Sequence, residues 1–177
     1  MTFRVVVPYA KGFLDDRVVP AIENQGYTPE LIECVNEVGH PYSYPLILRS
    51  LLLSGDDVLI IEQDNESRPG FIKSLEECEH YWCFFAYDFG DQTYEDAIDN
   101  GRREAGPLGR GFSPLGHTRF RAGVGEWIRE TLDEDYFART WVARDTFVAG
   151  ALGVQGYEAH RHPGKCFHHH KYEPRPT

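Results

Sequence analysis

Asp57-Val58-Leu59-Ile60-Ile61-Glu62-Gln63-Asp64-Asn65-Glu66 is an apolar, β-prone run that ends abruptly in acids and amides. The pattern predicts a buried strand over 56–61 that delivers carboxylates to its C-terminal end. In an open α/β sheet, ligands bind beyond the carboxyl ends of the strands. Glu62 and Asp64 are therefore candidates for meeting a divalent cation or a substrate. A solvated turn after a strand would use the same residue types, and Glu66 is assigned to that reading.

Outward from this strand, apolar runs and helical periodicities alternate. Phe3-Arg4-Val5-Val6-Val7-Pro8-Tyr9 reads as a first buried strand that opens into a loop at Ala10-Lys11-Gly12. Leu14, Val18, Val19 and Ile22 predict a helix over 14–25, bent or split at Pro20 and closed by Gly26. A second strand is predicted over 31–35 and a helix over 44–53. Another helix is predicted to start near Ser67-Arg68-Pro69, with Ser67 as cap and Pro69 in the first turn, and to end near 79. The aromatic stretch 81–87 is the fourth strand. This βαβαβαβ order predicts parallel strands with helices on both faces, since right-handed crossovers need connections of this kind.

Beyond residue 87 the periodicity fades. The stretch 88–113 is rich in acids, glycines and arginines, and a loop of that length in a compact domain is expected to be functional or mobile, with a helix over 93–103 inside it. A short strand is predicted over 118–121 and helices over 125–132 and 140–152, the second contributing Trp141, Phe147, Val148, Ala151 and Leu152 to the core. Gly153 and Gly156 interrupt before a last strand over 157–162.

Composition narrows the function classes. With 177 residues, 41% of them hydrophobic, the chain can bury one substantial core. A net charge of −10 argues against an extended nucleic-acid surface, leaving only a local patch around Arg102, Arg103, Arg110, Arg119 and Arg121. No apolar run approaches the roughly 20 residues of a bilayer span, and the first residues enter a strand pattern without the basic and apolar regions of a secretion signal. A cytoplasmic location is the expectation, the host cytoplasm if the protein is viral.

Cys34, Cys78, Cys83 and Cys166 form no CxxC pair, and neither a Walker A nor a GxGxxG motif is present. His160, His162, His168, His169 and His170 crowd the C-terminal part, and such a tract can bind metal. A zinc site drawn from Cys166 with His160, His162, His168 or His170, structural or hydrolytic, is one alternative. A nucleotide- or carbohydrate-binding module without catalysis is another.

Taken together, Val5-Val6-Val7-Pro8-Tyr9, the stretch Ser54-Gly55-Asp56-Asp57 that leads into Glu62-Gln63-Asp64, Trp141-Val142-Ala143-Arg144-Asp145 and the terminal histidines resemble the GT-A glycosyltransferases. The likeness is to small single-domain members of the sort found in actinobacterial viruses. Glu62-Gln63-Asp64 stands where that family has its DxD motif.

The resemblance implies a three-layer α/β/α fold of Rossmann type with a mostly parallel sheet, and one catalytic domain over 1–177. Within it, 1–87 would form the nucleotide-binding half, 88–117 a mobile loop region, 118–172 the half that completes the acceptor and metal sites, and 173–177 a frayed tail.

The implied activity is transfer of a sugar from a nucleotide-diphosphate sugar to an acceptor hydroxyl, with inversion. The acceptor is left open among a small molecule, a glycan, a protein and modified DNA. Asp64 with His168 or His170 would hold Mn²⁺ or Mg²⁺ against the diphosphate, Glu62 would meet the ribose or sugar, and Pro8 and Tyr9 would pack on the base. Asp145 would be the catalytic base, although an acid in the first turn of a helix is also favoured by the helix dipole. Gly116-His117-Thr118-Arg119-Phe120 is a further candidate contact to sugar or acceptor.

Overall fold

The computed structural model describes residues 2–35, 43–87, 116–133 and 144–169, with the side chains of 87 and 144–146 left aside. Among the described residues the order is β1 (Phe3–Tyr9), α1 (Val18–Glu23), β2 (Pro29–Glu33), α2 (Ser43–Leu52), β3 (Asp57–Ile61), β4 (Asn65–Glu66), α3 (Phe71–Glu76) and β5 (Trp82–Tyr87). Then follow β6 (His117–Phe120), α4 (Val124–Trp127), α5 (Arg129–Asp133), α6 (Arg144–Val154) and β7 (His160–His168).

The fold is mixed α/β around a seven-stranded, partly parallel sheet in the order β2-β1-β3-β6-β5-β7-β4. β1 pairs in parallel with β2 and β3, and β5 pairs in parallel with β7. β6 lies antiparallel between β3 and β5, and β4 antiparallel to β7. Two antiparallel steps restore direction, so β1, β2, β3, β5 and β7 all point one way. Their C-terminal ends therefore share one edge of the sheet, including the ends of β1 at Tyr9 and β3 at Ile61.

Period-two alternation divides the apolar residues between two clusters. Val6, Val58, Ile60, Trp82 and Phe120 pack with Leu48, Leu51 and Leu52 of α2 and with Val148 and Leu152 of α6. Val5, Val7, Leu59, Ile61, Cys83 and Phe85 pack with Val18 and Ile22 of α1 and with Ile72 and Leu75 of α3. This is why β3 reads as a continuous apolar run: both of its faces are buried.

Several boundaries differ from the sequence expectation. Pro20 does not bend α1, because it falls in the first turn, where no intrahelical donor is required. Ser67 does not cap α3; Gly70, with φ of 83°, stands at the N-cap, and the buried Ser67 accepts a bond from Gln25 Nε2 at 3.2 Å. The helix expected over 125–132 divides at Ile128 into α4 and α5. β7 starts at His160 and continues to His168, passing Pro163 and Gly164 through a register irregularity opposite Phe84–Ala86. The helix expected over 93–103, most of the region 88–117 and the tail 173–177 lie outside the described residues. No helix among the described residues is long and apolar enough to cross a membrane.

Candidate metal and nucleotide site

The acidic turn after β3 is held from several sides. Asn65 N–H bonds to Glu62 O at 3.0 Å to close the turn, and Glu62 N–H bonds to Gly116 O at 2.9 Å. Gln63 ties the turn to the loop after β1: its Oε1 accepts from Ala10 N–H at 2.6 Å, and its carbonyl accepts from Asp15 N–H at 2.8 Å. Tyr44 Oη donates to Glu62 Oε1 at 3.3 Å. Pro8, buried, and Tyr9, half-buried, end the parallel neighbour β1, so they occupy the same sheet edge as Glu62 and Asp64.

β7 brings the histidines to this turn. Asn65 pairs with His168 and Glu66 with Phe167, and His169 N–H bonds to Asp64 O at 2.8 Å. His168 Nε2 lies 3.4 Å from Asp64 Oδ2, with the His168 side chain 4% exposed. The other carboxylate oxygen, Asp64 Oδ1, accepts from Asn65 Nδ2 at 3.2 Å, while the buried Asn65 Oδ1 has no hydrogen-bond partner among the described residues.

Glu66, expected to be solvated, is partly buried and meets His169 Nε2 at 2.7 Å. Nearby, Arg17 grips both oxygens of the buried Asp15 at 2.8 Å, and this pairing holds the Asp15 carboxyl well below the usual carboxylate range. His170 lies outside the described residues. Asp145 is the second residue of α6, and its side chain is not among those described.

Two expectations need correction. His117, Thr118, Arg119 and Phe120 are at most 1% exposed, so these side chains are structural and do not face a ligand. Cys166 is fully buried in the cluster beside α3, where burial pushes its thiol far up, and among the described residues it belongs to no group of histidines and cysteines that could hold a metal.

A different cysteine does so. Cys78 Sγ lies 3.3 Å from His160 Nδ1, and Cys78, His160 and His162 each offer a ligand atom within 4.8 Å of the others. Burial and the neighbouring His80 push His160 down, and burial with His160, His80 and Arg119 does the same to His162. The sequence hides this group because Cys78 is far from the histidines along the chain, and only the parallel β5–β7 pairing brings them together. Asn65 was likewise missed, since nothing in its sequence context separates a carboxylate-holding amide from a turn residue.

Comparison with protein-family models and with curated proteins finds no match to this chain.

Proposed function

We propose that the protein is a metal-dependent, Leloir-type glycosyltransferase of GT-A type, acting on a nucleotide-diphosphate sugar with inversion. The observation that carries the reading is the approach of His168 Nε2 to Asp64 Oδ2 at 3.4 Å. The resemblance implies a cation shared by Asp64 and either His168 or His170, and the closeness of Asp64 and His168 near the carboxyl end of β3 supports the first of these. The helices over both faces of the sheet are in keeping with a three-layer arrangement.

The donor set fits the ion. Adjacent ligands on an octahedral cation with bonds of about 2.1 Å lie ~3 Å apart, so a small adjustment of either side chain suffices. A carboxylate oxygen with an imidazole nitrogen suits Mn²⁺ or Mg²⁺, and the nitrogen favours Mn²⁺. When bound, the cation would neutralise the diphosphate in an acidic protein.

The remaining tasks fall to the chain itself. Glu62, steadied by Tyr44, accepts hydrogen bonds from hydroxyls of the ribose or sugar, and Tyr9 offers an aromatic surface to the base, with the buried Pro8 behind it. Gln63 keeps the loop after β1 and the acidic turn in one geometry. Asp145 is the proposed base, taking the acceptor hydroxyl proton as the oxygen attacks the anomeric carbon. The bond from that carbon to the diphosphate breaks, and the nucleoside diphosphate leaves with the electron pair. Small molecules, glycans, proteins and modified DNA remain the acceptor classes.

Thermal shift with nucleoside diphosphates and their sugars, with and without Mn²⁺, tests the reading. A ligand at 100 times its Kd should stabilise the wild type by about 2.7 kcal/mol. The increment should require Mn²⁺ and disappear in Asp64→Asn and His168→Ala. No Mn²⁺-dependent shift with any nucleotide would remove the proposal.

A further inference from the structure

We infer that Cys78, His160 and His162 form a second metal site, a structural Zn²⁺ centre at the opposite end of β7 from His168. His160 and His162 are alternate residues of one strand and so project from the same face of the sheet. That face also carries Cys83 and Phe85 of the neighbouring strand, with His160 opposite Cys83 and Phe85 5.0 Å from the His162 ring. Cys78 reaches it from the turn between α3 and β5.

The distances suit zinc. A tetrahedral Zn²⁺ with bonds of about 2.3 Å to sulfur and about 2.0–2.1 Å to nitrogen holds those atoms ~3.5 Å apart. Cys78 Sγ and His160 Nδ1 already lie 3.3 Å apart. His162 Nε2 is buried with no hydrogen-bond partner among the described residues, an arrangement that a bound cation would relieve.

The turn is fixed without the metal. Cys78 O accepts from Arg119 Nη1 at 3.2 Å and from Arg121 Nη2 at 3.3 Å, and His80 O accepts from Arg119 Nη1 at 2.8 Å. The charge of Arg119 is paired with Asp57, at 2.9 Å. His80 stacks on His160 with centroids 4.1 Å apart, but its ring nitrogens do not converge with the three ligand atoms, so a water would complete the fourth position. Thiolate with imidazole selects Zn²⁺ over the hard cation proposed for Asp64 and His168.

Eight strand steps separate His160 from His168, roughly 25 Å at the β rise, so the centre would staple β7 to the start of β5 without touching the nucleotide site. The inference does not rest on the transferase reading.

The test uses the untagged full-length chain. After purification without chelators, elemental analysis should find about one zinc per chain, as for a single site. Co²⁺ should give a thiolate-to-cobalt absorption band that added Zn²⁺ abolishes. Cys78→Ser should lose the band, His160→Gln and His162→Gln should each weaken Zn²⁺ binding at least tenfold, and Asp64→Asn should change neither. If Cys78→Ser fails to fold, the two histidine variants decide.

Wild type that is folded yet takes up neither zinc nor cobalt would overturn the inference. So would a thiolate band that survives Cys78→Ser but vanishes in Cys166→Ser, or full affinity in both histidine variants.

Discussion

Arg119 Nη2 donates to Asp57 Oδ2 at 2.9 Å, with the arginine side chain 1% exposed, and thereby joins β6 to the first residue of β3. Asp57 uses its other oxygen to accept from Ala122 N–H at 2.9 Å. The same guanidinium holds the Cys78 and His80 carbonyls, so one cation braces the β3–β6 pair and the turn before β5. Removing one partner of a buried pair costs more than the pair itself contributes, because the other is left uncompensated. Arg119→Met should lower the unfolding free energy by about 3–5 kcal/mol. Asp57→Asn, which keeps one acceptor, should cost about 1–3 kcal/mol. Urea unfolding reads both, and an Arg119→Met midpoint close to wild type would refute the bracing role.

Asn65 has a narrower task. Fully buried, it donates to Asp64 Oδ1 and leaves Oδ2 for His168 and the proposed cation. Removing such an orienting partner typically lowers metal affinity 10–100-fold. Asn65→Ala should therefore weaken Mn²⁺ binding by about that factor, as read by calorimetry on folded protein. Unchanged affinity would mean that Asp64 needs no such restraint.

The strands were legible where burial wrote itself into composition, as at Val5-Val6-Val7 and Val58-Leu59-Ile60-Ile61. The direction of β6 was not legible, because four buried residues carry no mark of polarity and only pairing with β3 and β5 shows it. β7 was read short, since Pro163 and Gly164 look like punctuation. The strand absorbs them in an irregularity, where Gly164 adopts φ of 104° and the missing proline donor is tolerated. At the site, the acidic motif points to Asp64, but His168 and His170 are alternate residues of one tract and the sequence alone does not choose between them. Cys78 could not be named, because its partners depend on which strand lies beside β5.

Gly125 tests the seam between α2 and α4. A Cβ built there would run into the Leu52 carbonyl, a backbone atom that cannot turn aside. Gly153, in α6, has nothing within 4 Å of the same position. Gly125→Ala should destabilise by about 1–3 kcal/mol through overpacking. Gly153→Ala should stabilise by roughly 0.5 kcal/mol through lost chain entropy. Equal effects in thermal unfolding would contradict the close approach of the two helices.

His117 makes acid stability the sharpest test of the core. It is fully buried, sits edge-on to Phe71 and Phe85, and neither ring nitrogen has a hydrogen-bond partner among the described residues. Burial pushes its pKa from 6.5 down to about 3. The unfolded chain therefore binds this proton from about pH 6.5 downward, while the native state stays neutral until about pH 3. More protons on the unfolded state means that stability rises with pH, so this group favours unfolding as pH falls through that window and contributes nothing above it. The slope approaches about 1.4 kcal/mol per pH unit. His117→Phe keeps the aromatic packing and removes the proton. Its stability relative to wild type should grow steadily as pH falls from about 6.5 to about 4 and be flat above 7. A difference that is independent of pH in paired urea titrations would show that His117 binds its proton as readily in the folded protein as in the unfolded chain.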